Sequence, residues 1–96
     1  MTQKYYHVYI LASKQNGTLY IGVTSNLKQR ILQHKQKMIP GFTQKYGVDK
    51  LIYYESTTEI ESALDREKIL KKWNRAWKLK LIEDKNPEWK DLYNEI

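Results

Sequence analysis

The amino-acid sequence predicts an α/β domain of the α+β type, with its elements in the order β-β-α-β-α-α. Three observations carry that order. Two β-branched and aromatic runs, 5–13 and 18–24, flank an Asn-Gly pair. Two later segments repeat apolar residues at helical spacing behind capping residues, and a third strand-like run, 50–56, lies between them. With 96 residues, 41% of them hydrophobic, the chain can fill one modest core, so residues 1–96 are read as a single domain.

The first two strands, "YYHVYILAS" and "TLYIGVT", read as a hairpin closed by a two-residue Asn16-Gly17 turn. That turn places Gln15 opposite Thr18, so odd positions of the first strand face even positions of the second. Tyr9, Tyr20 and Gly22 then share one face. Gly22 has no side chain and predicts a pit where a ligand or a backbone could approach closely. A longer loop that moved the register by an even number would change the distances and keep the face.

Ser25 is the expected N-cap of a helix over about 26–38. Its apolar stripe is Leu27, Ile31 and Met38, with His34 inside the stripe and Arg30 on its edge, one turn away. Alone, His34 reads as a satisfied boundary histidine and Arg30 as a surface residue; side by side against a glycine-bearing strand, they read as a site. Residues 39–49, with Pro40, Gly41 and Gly47, predict a surface loop ahead of the third strand.

Thr58 and Glu61 form a capping-box pattern opening a second helix over about 59–73, with Ile60, Ala63 and Leu64 on its buried face. Glu67 falls in the middle of that face, within about 20° of Ile60 at about 100° per residue. A carboxylate there must be paired, coordinated to a metal or set in a cleft. Pairing with Arg66 or Lys71, or a rotated helix that exposes it, are the plain alternatives. The helix breaks near Asn74, resumes to about Lys85 and stops at Asn86-Pro87, leaving a tail whose Trp89 and Leu92 can pack back.

The net charge of +6 is uneven. Residues 25–50 and 66–80 carry +5 and +6, whereas 51–65 and 81–96 carry -4 and -3. Two basic blocks suggest a polyanion partner, with the eight tyrosines offering hydroxyls and stacking faces. The absence of cysteine excludes disulfides, thiolate metal sites and cysteine nucleophiles. No run of about 18 apolar residues predicts a membrane partner, and the amino terminus lacks the features of a signal peptide, so a cytoplasmic location is expected.

Together "HVYIL" at 7–11, "YIGVT" at 20–24, Arg30, His34 and Glu67 resemble the GIY-YIG nuclease family. The likeness runs from Tyr6 to about Asp91, and the segment "KKWNRAWKLKLIEDKNPEWKDL" is similar to its small, stand-alone, single-domain bacterial-type branch. The resemblance implies a three-stranded antiparallel sheet flanked by helices that hydrolyses DNA phosphodiester bonds, structure-selectively and in DNA repair or recombination. It implies one divalent cation, with Mg²⁺ expected and Mn²⁺ the alternative, bound by Glu67. Tyr9 and Tyr20 would position or deprotonate water, Arg30 would hold the scissile phosphate, and His34 would join the hydrogen bonds around the phosphate or a tyrosine. Asn86 is a subsidiary candidate. DNA would be met mainly through its phosphates, by Gly22, Lys28, Arg30 and Lys35 on one side and Lys71, Lys72 and Arg75 on the other.

Those residue types suit the chemistry. Hydrolysis builds negative charge on the phosphoryl and leaving oxygens, which fixed cations stabilise. Tyrosine, with a reference pKa of about 10, needs help to act as a base near neutrality. Relative to the family, His7 and Val8 replace the glycine and isoleucine of the first motif. Val23 stands where some repair nucleases carry a lysine, leaving that help to His34 or to a lysine elsewhere. Two other readings stay open: a module that binds nucleic acid without cutting, and one that works with a protein partner through exposed Trp73, Trp77 and Trp89.

Overall fold

The computed structural model describes residues 3–96. Strands β1 (Tyr6–Ala12), β2 (Leu19–Thr24) and β3 (Lys50–Thr57) form an antiparallel sheet in the order β2-β1-β3. Helices α1 (Leu27–Lys35), α2 (Phe42–Tyr46), α3 (Ile60–Lys72) and α4 (Arg75–Lys85) flank it, and a 3₁₀ turn over Leu92–Glu95 follows. No described helix is long and apolar enough to cross a membrane.

β1 is the central strand and buries both faces, which is why its sequence is an almost unbroken apolar run. Its even positions, Val8, Ile10 and Ala12, pack with Ala63, Leu70, Ile82 and Trp89 from α3, α4 and the tail. Its odd positions, Tyr9 and Leu11, pack with Leu27 and Ile31 of α1, Val48 and Leu51. A bulge between the pairs Ile10–Tyr53 and Leu11–Leu51 turns both Ile52 and Tyr53 toward the α3 and α4 side.

The hairpin loop is longer than the Asn-Gly pair predicts. Ser13 N–H donates to Thr18 O at 3.0 Å and Gly17 N–H to Lys14 O at 2.9 Å, while Asn16 sits at φ 59°. The Ser13 hydroxyl also accepts the Thr18 N–H, so the loop is closed one step further out. The register moves by two, pairing Tyr9 with Gly22 and Leu11 with Tyr20, and the shared face survives.

The helix starts also differ from expectation. Asn26, not Ser25, caps α1: its side chain accepts the Gln29 N–H at 3.2 Å while Thr24 Oγ1 takes the Asn26 N–H at 3.0 Å. α1 ends at Lys35, and Lys37 at φ 57° turns the chain, so Met38 leaves the stripe and is 63% exposed. The expected loop 39–49 contains α2, closed by Gly47 at φ 64°, and buries Thr43 and Val48.

The Thr58–Glu61 box does not form; α3 begins after Glu59, whose N–H is taken by Thr57 Oγ1 at 3.2 Å. The helix is rolled relative to its predicted face, leaving Ile60 and Leu64 exposed and burying Ala63 and Leu70. The roll lets Arg66 reach Glu55 on β3 at 2.8 Å and lie over the Trp73 ring. Asn74 caps α4 by accepting the Trp77 N–H, giving the predicted break a physical cause. Trp89 is buried, Trp73 half-buried and Trp77 exposed, so the three tryptophans do not form one exposed docking surface.

Candidate functional site

Tyr9 is the centre of the polar arrangement on the odd face of β1. A Cβ placed on Gly22 would lie 2.5 Å from the Tyr9 hydroxyl oxygen and 2.6 Å from Cζ. The pit expected at Gly22 therefore exists, but the phenol fills it; a ligand does not find it open. The tyrosine is fully buried, and its hydroxyl lies 3.1 Å from His34 Nε2. His34, 4% exposed, places Nδ1 3.0 Å from Thr43 Oγ1 on α2.

The hydrogens in this chain can be assigned by counting donors. Burial, reinforced by the nearby Arg30 charge, lowers the His34 pKa below its usual 6.5, so the ring is neutral and has one donor and one acceptor. The Arg30 guanidinium, the other hydrogen-bonding neighbour of Tyr9, can only donate. If His34 donated from Nε2, the phenolic hydrogen would be left buried without an acceptor, at a cost of about 1–3 kcal/mol. Tyr9 O–H therefore donates to Nε2, and Nδ1–H donates to Thr43.

Burial, with the Tyr20 hydroxyl the next contribution, pushes Tyr9 up to about 12; Arg30 pulls the other way and the Glu67 charge adds a small push upward. These influences place residues of α1 and α3 around one hydroxyl. The Tyr20 ring, 6.3 Å from that of Tyr9 and 5.5 Å from that of His34, completes an aromatic wall, with Phe42 stacked outside it at 6.4 Å. Glu67 is neither deeply buried nor free: its side chain is 20% exposed and sits 3.5 Å from Lys71 Nζ. A cleft of about 270 Å³ runs along this edge of the sheet, lined by Leu19, Tyr20, Ile21, Phe42, Lys71 and Lys78.

The structure thus gathers Tyr9, Tyr20, Arg30, His34 and Glu67, and sends other candidates elsewhere. Asn86 is buried on the β3 side of the sheet, donating to Ile52 O and Lys90 O and accepting the Lys90 N–H. It staples the tail and has no part in the polar cluster. Lys28 donates to Ile96 O, and Lys35 pairs with Asp91, which also accepts the Leu51 N–H. Arg75 donates from Nη2 to the Asn16 and Gly17 carbonyls, bracing the hairpin loop. Lys72 is exposed. Sequence reasoning missed Thr43 and Phe42, both inside the segment read as loop. The signal was there in "FTQKYG": one helical turn that ends at a glycine.

The donor set can be weighed against a divalent cation. Among the described residues no three His, Cys, Asp or Glu side chains form a metal-binding group. Glu67 offers one carboxylate, which fits a cation that keeps most of its waters and takes phosphate oxygens as further ligands.

Comparison with known proteins identifies the family. Residues 5–80 match the GIY-YIG catalytic domain. A UPF0213 protein of Clostridium perfringens is 37% identical over 90 residues, spanning 94% of this chain and 96% of its own. A UPF0213 protein of Autographa californica nuclear polyhedrosis virus is 37% identical over 86 residues, 88% of this chain and 82% of its own. The solution NMR structure of a UPF0213 protein from Bacillus halodurans superposes with a TM-score of 0.57 at 25% identity, covering 91% of this chain and 92% of that one. The matched domain contains both tyrosine-bearing strands and the helices with Arg30, His34 and Glu67, and the chain belongs to the GIY-YIG family.

Proposed function

We propose that the protein is a metal-dependent endonuclease that hydrolyses DNA phosphodiester bonds at the Tyr9 site. The observation that carries this reading is the convergence of β1, β2, α1 and α3 on one hydroxyl, with Arg30 and Glu67 both close enough to influence its proton affinity. Arg30 holds the scissile phosphate through charge-assisted hydrogen bonds and offsets charge that builds on its oxygens. Tyr20 is half-buried at the mouth of the site and orients the attacking water. Glu67 would hold a divalent cation, with Mg²⁺ expected, which would supply positive charge for the leaving group. Lys71 lies between Glu67 and the cleft, where its charge suits an incoming strand.

The second reading, a nucleic-acid-binding module that does not cut, draws support from Tyr9 itself. A phenol pushed up to about 12 is a poor base, and Val23 supplies no cation to lower it. One experiment separates the two: single-stranded, duplex, flap and four-way-junction DNAs are incubated with Mg²⁺ or Mn²⁺ and either wild type or Glu67→Gln. Cutting by the wild type that Glu67→Gln abolishes supports the nuclease. Band shifts at low salt without cutting by either protein support the binding module.

A further inference from the structure

We infer that Tyr9, His34 and Thr43 form a proton relay in which His34 Nε2, rather than the tyrosine oxygen, is the final acceptor of the proton taken from the attacking water. This inference rests on the nuclease reading for its catalytic half, while its structural half stands on the hydrogen-bonded chain alone. The Tyr9 hydroxyl already aims its hydrogen at Nε2 across 3.1 Å, which selects the Nδ1–H tautomer, and Thr43 Oγ1 at 3.0 Å accepts that hydrogen and holds the ring in place. Thr43 touches no substrate; it is a positioning residue acting through His34.

The step balances without an added oxidant or base. Water attacks phosphorus, an O–P bond forms and the bond to the leaving oxygen breaks. As it does so, water gives a proton to the Tyr9 oxygen, and Tyr9 gives its own proton to His34 Nε2. The imidazolium keeps its Nδ1–H on Thr43, and solvent protonates the leaving oxygen and later takes the proton from His34. Tyr9 is never a free phenolate, so its own high pKa does not set the rate. The route also removes the need for the lysine that Val23 replaces.

Burial adds a condition. The Tyr9 hydroxyl is closed to solvent in the free protein, and half-exposed Arg30 is the cation beside it. Transfer of the guanidinium to a phosphate uncovers the hydroxyl when substrate arrives. The charged and titratable groups around the ring are Tyr9 from β1, Tyr20 from β2 and Arg30 from α1, with the Glu67 charge from α3 acting on Tyr9. The Arg30 charge, which lowers the His34 pKa in the free protein, is partly neutralised by the phosphate it binds. His34 is therefore a better proton acceptor in the complex.

Two measurements test the relay. Long-range ¹H–¹⁵N correlation of the His34 ring in the metal-free, DNA-free protein is expected to show the Nδ1–H tautomer. Tyr9→Phe should lose that preference, and Thr43→Val should keep it. In single-turnover cleavage with Mg²⁺, the rate should be flat from about pH 7 to 9 and fall tenfold per unit below the His34 titration. Thr43→Val should slow cleavage at least tenfold, with Thr43→Ser near wild type. A rate that climbs tenfold per unit through pH 7–9 overturns the relay in favour of Tyr9 as the base. So does an Nε2–H ring in an enzyme that cuts. Absence of cutting by the wild type overturns the nuclease reading itself, and the ring tautomer shows separately whether the Tyr9–His34 hydrogen bond runs as assigned.

Discussion

Tyr9 and Tyr53 lie on neighbouring strands, face opposite sides of the sheet, and are both pushed up to about 12. Tyr53 is raised by burial and by its hydrogen bond to Glu55, a carboxylate that Arg66 already holds at 2.8 Å. Tyr9 is raised by burial first and donates to a neutral imidazole. A carboxylate paired with arginine is a poor proton acceptor, because accepting one would break an ion pair. A neutral imidazole backed by a threonine hydroxyl can take a proton and stay hydrogen-bonded. The same perturbation therefore suits a structural tyrosine on one face and, on the proposed nuclease reading, a chemical one on the other, and the partner distinguishes them.

The largest expected consequence is on cleavage. Tyr9→Phe keeps the ring that fills the space over Gly22 and removes only the hydroxyl, so the rate of DNA cutting should fall by about 10²- to 10⁴-fold. Tyr53→Phe leaves Arg66 paired with Glu55 and should not change the rate. Single-turnover rates of the two variants on the preferred DNA decide it; equal losses would remove the contrast between the faces.

Alkaline stability is next in size and should treat the two tyrosines alike. Each is harder to deprotonate folded than unfolded, so each contributes stability that is full below pH 10 and is lost as pH rises from 10 to 12. By pH 12 the loss approaches ~3 kcal/mol per tyrosine. In urea unfolding across this range, Tyr9→Phe and Tyr53→Phe should each show a shallower decline than wild type. A decline as steep as that of wild type in either variant would mean that its tyrosine ionises as freely in the folded state as in the unfolded chain.

Gly22→Ala probes the packing under Tyr9 and should cost about 1–3 kcal/mol, because the ring it strikes is buried and rigid. The added methyl must displace the phenol from His34, so thermal melting and cleavage should suffer together. Wild-type cleavage in a destabilised Gly22→Ala protein would show that the exact Tyr9–His34 distance does not matter to the chemistry.

What could be read from the sequence followed the range of the interaction. Strand positions, the helix break at Asn74 and the common face of Tyr9, Tyr20 and Gly22 depend on local propensity or on parity, which an even register shift leaves untouched. The cap of α1, the roll of α3 and the fate of Asn86 depend on partners far along the chain: Glu55 for Arg66, Ile52 and Lys90 for Asn86. Thr43 was hidden for a different reason. Its hydroxyl matters only because a five-residue helix brings it under His34, and a helix that short leaves little periodic signal.

The smallest effects concern the charged surface, where the same contrast between engaged and available groups applies. Lys78 lines the cleft beside Tyr20 with its ammonium 3.4 Å from the Lys71 carbonyl, whereas Lys35 is neutralised by Asp91 and Lys28 is drawn to Ile96 O above the Tyr93 ring. A lysine that meets a phosphate releases counterions on binding; one already paired with a carboxylate contributes almost none. In the Glu67→Gln background, which removes cutting as a complication, Lys78→Ala should reduce the slope of log affinity against log salt by about one. Lys35→Ala should leave that slope nearly unchanged. Titrations of one labelled DNA at several salt concentrations measure both. A slope lowered equally by the two substitutions would place DNA on the carboxyl-terminal end of α1 as well, and would require the Lys35–Asp91 pair to open when DNA binds.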